Sequence, residues 1–203
     1  MGKIFYIMGK SSSGKDTIYE GLLKREELQL HPLVIYTTRP IRAKETDGVE
    51  YHFTDEDGLQ KFLKEGKVIE LREYQTMHGP WKYFTVDDKH IELDLRDYLT
   101  IGVLDSYRKV KEYYGEERVV PIYIQVEDGK RLERALKREC RQTEPKYEEM
   151  FRRFLADQSD FSEEKLREAG IAKRFQNDEE REACMEQVAR YIREMQNVLQ
   201  IGQ

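Results

Sequence analysis

The sequence predicts an α/β fold: a three-layer core on a parallel sheet, a small mixed α/β lobe inserted into it, and a helical lid. Three observations carry this prediction. Short continuous apolar runs, of the kind needed by strands covered on both faces, alternate with stretches of helical three-and-four spacing. A glycine-rich loop joins the first such run to the first helix. The texture then changes twice, to short half-polar strands between residues 37 and 90 and to a dense Arg and Glu stretch between residues 137 and 153. The core is therefore expected from residues 1–36 and 91–203, the inserted lobe from 37–90 and the lid from about 137–153, in a single folding unit.

Each element has a local reason. Ile4 to Met8 is an apolar run ending at Gly9, which suits a central strand, and residues 15–27 follow as a helix with Ile18, Leu22 and Leu23 on one side. Leu33 to Tyr36 reads as a second strand behind Pro32. In the lobe, strands are expected near Glu50 to Phe53, Lys67 to Tyr74 and Lys82 to Val86, with a helix over Asp55 to Glu65. The main sheet resumes at Tyr98 to Leu104, leads into a helix over Tyr107 to Tyr114, and continues at Val119 to Val126. Glu127 and Asp128 cap the next helix. Pro145 interrupts the lid, and Tyr147 opens its second helix, which carries Phe151, Phe154 and Leu155. Ile171 to Phe175 makes a last strand. The closing helix shows Cys184, Val188, Tyr191, Ile192, Met195 and Leu199 as a core-facing stripe.

A chain of 203 residues is long enough for one such core with appendages. With 37% charged and 38% apolar residues, a modest core under a heavily charged surface is expected. A net charge of −5 provides no global field toward nucleic acid or anionic lipid. No stretch approaches the roughly 20 apolar residues that cross a bilayer. Cys140 and Cys184 are too few for a disulfide framework, and no Cys or His cluster has metal-ligand spacing. The N-terminal run reads as a strand and not as a signal peptide. A cytoplasmic protein, monomeric or homodimeric, is expected. His31, His52, His78 and His90 are scattered and read as incidental, and Trp81 as packing for the lobe.

The loop Gly9-Lys10-Ser11-Ser12-Ser13-Gly14-Lys15-Asp16-Thr17 fits G-x-x-x-x-G-K and lies between a buried strand and a helix. Its glycines let successive N–H groups turn inward onto phosphate oxygens, and the helix N-terminus adds a favourable dipole. Lys15 is placed to bridge the β- and γ-phosphates of ATP. Asp16 stands where the motif usually has a Ser or Thr for Mg²⁺, with Thr17 one place later. Either Thr17 holds the metal alone or Asp16 reaches it through water.

Thr37-Thr38-Arg39-x-x-Arg42 sets two guanidinium groups beside hydroxyls, an arrangement suited to a dianionic phosphate. Glu45-Thr46-Asp47-Gly48-Val49-Glu50-Tyr51-His52-Phe53 follows, then Val68-Ile69-Glu70, then Tyr83-Phe84-Thr85. In this order and spacing the set resembles the monophosphate-binding lobe of guanylate kinases, and the resemblance runs from Lys3 through the closing helix. It implies a P-loop kinase core, ATP with Mg²⁺ as phosphoryl donor, and GMP or dGMP as acceptor. It also implies that Thr38, Arg39, Arg42, Tyr51, Tyr83 and Thr85 serve the acceptor, with Glu70 facing the base. A carboxylate suits guanine, whose N1–H and N2 amino group present adjacent donors. The pattern departs from the family at Ile35, where a serine is usual, and at Phe84, where a glycine is usual. The family's later aspartate pair is reduced to Asp105, which takes the base-reading or the metal-linked role, or else caps a helix.

Phosphoryl transfer needs positive charge on the equatorial oxygens and exclusion of water, and arginines on a closing lid supply both. Arg141 and Arg153 best match the family's spacing there, beside Arg138 and Arg152. Asn177-Asp178 resembles the family's loop beside the adenine of ATP, although an Asx turn accounts for the same residues. Two further readings stand beside this one: a kinase for another monophosphate or a ribose bisphosphate, and a catalytically silent binding module, against which the intact Lys15 argues.

Overall fold

The computed structural model describes residues 2–76, 79–88 and 90–197. Its main sheet has five parallel strands: β1 (Ile4–Met8), β2 (Leu30–Pro32), β7 (Asp97–Ile101), β8 (Val119–Gln125) and β9 (Arg174–Gln176), in the order β2-β7-β1-β8-β9. Strand β1 lies in the middle and is buried at every residue, which explains its unbroken apolar character. Its side chains alternate between two cores. Ile4, Tyr6 and Met8 join Leu104, Tyr107 and Val110 of helix α3 (Leu104–Tyr114) on one face. Phe5 and Ile7 join Ile18 and Leu22 of α1 (Lys15–Leu23) and Val188, Ala189 and Ile192 of α7 (Arg181–Asn197) on the other. Helices, sheet and helices make the three expected layers.

A second sheet of four strands, in the order β4-β3-β6-β5, takes all of its strands from residues 36–86. These are β3 (Tyr36–Thr37), β4 (His52–Phe53), β5 (Val68–Thr76) and β6 (Gly79–Val86), with helix α2 (Glu56–Lys64) packed on them through Leu59 and Phe62 against Phe84 and Val86. Asp55 caps α2 by accepting from the Gly58 N–H at 2.8 Å. The arginine-rich region is formed by α4 (Asp128–Glu139) and α5 (Tyr147–Asp160), followed by the short α6 (Glu163–Glu168). Glu127 caps α4, accepting from the Gly129 and Lys130 N–H groups.

Several boundaries differ from the sequence expectation. Helix α1 stops at Leu23, and Glu26–Leu28 form a separate 3-10 turn. The apolar stretch 33–36 is divided: β2 ends at Pro32, the Leu33 N–H still reaches the Leu99 carbonyl, and Tyr36 already belongs to the second sheet. β7 ends at Ile101 because Gly102 and Val103 turn the chain into α3, whose first turn holds Asp105; Val103 is the N-cap. The last strand falls at residues 174–176 and not 171–175, with Ile171 packed in the core. In the closing helix Cys184, Val188 and Ile192 are buried as expected, whereas Leu199, like His78, lies outside the described residues.

Candidate active site

The phosphate loop is shaped by two left-handed residues, Ser12 at φ 62° and Gly14 at φ 83°. Gly14 is also closely approached: a Cβ there would lie 2.6 Å from the Asn177 amide nitrogen. That nitrogen donates to the Ser13 carbonyl at 2.7 Å, so Asn177, buried at the end of β9, props the loop from below. Ser12 Oγ, Ser13 Oγ and Asn177 Oδ1 are buried with no hydrogen-bond partner among the described residues. Buried polar atoms without partners are costly, and a polar occupant of the loop relieves that cost. Lys15 opens α1, its ammonium 3.5 Å from the Asp16 carboxylate, and Asp16 and Thr17 are both exposed beside it. A carboxylate and a hydroxyl together offer hard oxygen ligands of the type Mg²⁺ takes alongside phosphates and water. The loop and its rim therefore fit a nucleotide phosphate chain with Mg²⁺.

The outer limb of the loop is held by a network that the sequence reading missed. The Ser11 N–H donates to Asp157 Oδ2 at 2.8 Å, and Arg131, 1% exposed, donates to the Ser11 carbonyl at 3.0 Å and to the same Asp157 oxygen at 2.8 Å. Arg131 also pairs with Asp128 and lies over the Phe154 ring. The Lys10 ammonium reaches Gln158 at 2.6 Å and Asp128 at 3.4 Å. Arg134 donates to the carbonyls of Asn177 and Asp178. The spacing of Asp128 and Arg131, one helical turn apart, was visible in the sequence, but their partners on α5, Gln158 for Asp128 and Asp157 for Arg131, were not.

Residues in and beside the second sheet form two clusters, one around Arg39 and one around Glu70. Arg39, 3% exposed, forms a two-pronged pair with Glu45 at 2.9 and 2.8 Å and lies 5.2 Å from the Tyr51 ring centre. The hydrogen bond from Arg39 holds the Glu45 carboxyl below the usual carboxylate range. Tyr51 and Tyr83 meet edge to face at 5.5 Å, and burial pushes the Tyr51 phenol up. Arg42 is exposed, its N–H bonded to Glu45. Thr38 is engaged in structure, with its hydroxyl accepting from the Lys82 N–H at 3.0 Å. Glu70, 2% exposed, lies on β5 opposite Thr85 of β6 and accepts from the Thr85 hydroxyl at 2.9 Å.

The remaining expected residues are more dispersed. Asp105 is exposed, and it is its neighbour Ser106 whose hydroxyl donates to Glu70, at 3.2 Å. Arg141 is exposed beyond the end of α4. Arg152 and Arg153 are both bound to Glu149, whose carboxyl is held down at about 2, mainly by the Arg152 hydrogen bond. Arg153 thus stands free of the phosphate loop, tethered on the solvent side of α5.

A guanylate kinase family model matches residues 1–195. The chain belongs to the guanylate kinase family. Among curated guanylate kinases, that of Porphyromonas gingivalis is 28% identical over 130 residues, covering 61% of this chain and 65% of the relative. That of Zymomonas mobilis is 39% identical over 69 residues, covering 34% and 32%. Both matches span less than two thirds of the relative's length. The guanylate kinase of Malacoplasma penetrans is 27% identical over 157 residues, covering 75% and 76%. A solved guanylate kinase structure from Anaplasma phagocytophilum superposes with a TM-score of 0.61 over 95% of this chain and 85% of that one; at 21% identity, this likeness concerns the fold. The mixed fold, with its parallel sheet and its second mixed sheet, is that of the guanylate kinase family. No helix among the described residues is long and apolar enough to cross a membrane.

Proposed function

We propose that the chain is an ATP:nucleoside monophosphate phosphotransferase that moves the γ-phosphoryl group of ATP, with Mg²⁺, onto a phosphorylated acceptor; GMP and dGMP are the acceptors its family membership suggests. The observation that carries this reading is the intact phosphate loop, with its unpartnered buried Ser12 and Ser13 hydroxyls and Lys15 at the mouth of α1. In this reading the loop amides and Lys15 hold the donor phosphates, and Asp16 and Thr17 would hold Mg²⁺, which would supply neutralisation of the phosphates' charge. Arg39, Arg42, Tyr51 and Tyr83 hold the acceptor phosphate, with Arg39 exchanging part of its pairing to Glu45 for the incoming dianion. Arg141 and Arg153 approach the transferred group when the segment 137–153 closes over it. Residues 37–90 act as the acceptor lobe on a core of 1–36 and 91–203. The two free cysteines suit a cytosolic enzyme.

A second reading, transfer to a different phosphorylated acceptor, is favoured by one observation: the carboxylate expected to read guanine is already bound by an arginine of the same strand. A coupled assay of ADP release with ATP·Mg²⁺ tests both, using GMP, dGMP, AMP, UMP, CMP and ribose 1,5-bisphosphate. Turnover with at least one acceptor is expected. Failure with all of them, together with no nucleotide-induced rise in melting temperature, would leave a binding module as the correct reading.

A further inference from the structure

We propose that Arg72 is a specificity-determining residue of the acceptor cleft: by holding Glu70 it turns a site for amine donors into a site for oxygen acceptors. The inference rests on the phosphotransferase reading and concerns the chemical class of its acceptor.

Strand β5 alternates, so Glu70, Arg72 and Tyr74 share one face, and across the hairpin Thr85 stands opposite Glu70 and Tyr83 opposite Arg72. A carboxylate has about four acceptor positions. Those of Glu70 are filled. Oε1 accepts from the Thr85 hydroxyl at 2.9 Å and from Arg72 Nη2 at 3.3 Å, while Oε2 accepts from Arg72 Nε at 3.0 Å and from the Ser106 hydroxyl at 3.2 Å. The Glu70 side chain is 1% exposed and that of Arg72 17%. Burial draws the Arg72 guanidinium down, yet the Glu70 carboxylate, with Tyr6 and Tyr74, keeps it above its ordinary value.

Guanine would have to offer N1–H and N2–H to a carboxylate with no position left. Admitting it means dislodging Arg72, which leaves a guanidinium in the cleft without its counter-charge. Arg72 itself is not saturated. Two of its five N–H donors go to Glu70, and no further partner for the rest is present among the described residues. Arg72 stands opposite Tyr83 across the hairpin, and Tyr83 in turn meets Tyr74 at 5.7 Å and Tyr51 at 5.5 Å, so these donors stand beside the tyrosines expected to serve the acceptor. A planar fork of N–H groups there recognises oxygen atoms. The acceptor that fits carries its reacting phosphate at Arg39 and presents oxygens at its far end. Uracil carbonyls and a second phosphate on a sugar both have this chemistry; guanine O6 has it too, but guanine also brings the N1–H and N2–H pair that Glu70 has no position left to accept.

The test measures kcat/KM of the full chain for GMP, UMP and ribose 1,5-bisphosphate with ATP·Mg²⁺, in the wild type and in Arg72→Met, Arg72→Lys and Glu70→Gln. The wild type is expected to prefer UMP or the bisphosphate to GMP by about 10-fold or more, and whichever of the two it prefers separates carbonyl from phosphate recognition. Arg72→Met should raise kcat/KM for GMP by about 10-fold and lower it for the preferred acceptor by a similar factor. Arg72→Lys keeps a charge beside Glu70 but loses the fork, so it should lose the preferred acceptor without gaining GMP; it carries the test if the methionine variant does not fold. Glu70→Gln, which removes the counter-charge of Arg72, should weaken all acceptors together and not GMP selectively. A wild type that prefers GMP, or a Glu70→Gln variant that weakens GMP alone, would overturn the inference and leave the kinase reading intact. Silence of every folded variant toward every acceptor would overturn the kinase reading, and this inference with it.

Discussion

Lys15 places a single ammonium at the point where the loop turns into α1, with 20% of its side chain exposed and only Asp16 beside it. A cation that meets the transferred phosphoryl group contributes mainly in the transition state. Lys15→Ala is accordingly expected to lower kcat by roughly 100-fold or more with every acceptor while the melting temperature stays near that of the wild type, since no buried pair is broken. A loss confined to one acceptor would contradict a role on the donor side. The phosphate loop with Gly14 and Lys15 was legible as a motif because it is local to the sequence; the propping of Ser13 by Asn177 was not, since the sequence pointed only to a place beside the adenine of ATP or to an Asx turn. Arg72 was not, although the parity of β5 puts it on the same face as Glu70; its importance depends on Ser106 and Thr85 arriving from two other elements to complete the carboxylate's partners.

Helices α4 and α5 are joined to the phosphate loop by Arg131, which is buried against Asp128, Asp157 and Phe154. Removing one member of a buried ion pair leaves the other uncompensated, at a cost of about 3–5 kcal/mol. For a chain of this size each kcal/mol shifts the midpoint by about 2–4 °C. Arg131→Met should therefore lower the melting temperature by roughly 10 °C, and a fall in apparent ATP affinity should accompany it because the Ser11 carbonyl loses its donor and Asp157, which accepts from the Ser11 N–H, loses its counter-charge. An unchanged midpoint in a thermal melt would show that the network contributes little. The helices themselves were readable from their three-and-four spacing and from the Glu127 cap. Short strands were less so: whether residues 30–37 join the first sheet or the second is decided by Leu99 and Phe84, far along the chain, and not by the run of Leu, Val and Ile.

At the level of the whole molecule, the two cysteines report on the packing of the second core. Burial pushes the Cys184 thiol up to about 11, whereas Cys140 is exposed, its sulfur 3.6 Å from the Tyr147 hydroxyl. At pH 8 the native protein should give one fast-reacting thiol, and two after denaturation; Cys184 becomes reactive without unfolding only as pH approaches its raised value. Two fast thiols in the native state at pH 8 would mean that α7 does not seal the sheet as described. The strand order has a further consequence, for synthesis on the ribosome. β1 and the phosphate loop, residues 4–17, are synthesised before both strands that flank β1, which come from residues 97–125, and before residue 177, whose amide props Ser13. Such long-range pairing makes completion of the sheet a late event in synthesis. The phosphate loop, translated before every element that supports it from further along the chain, is among the last parts to take its working shape.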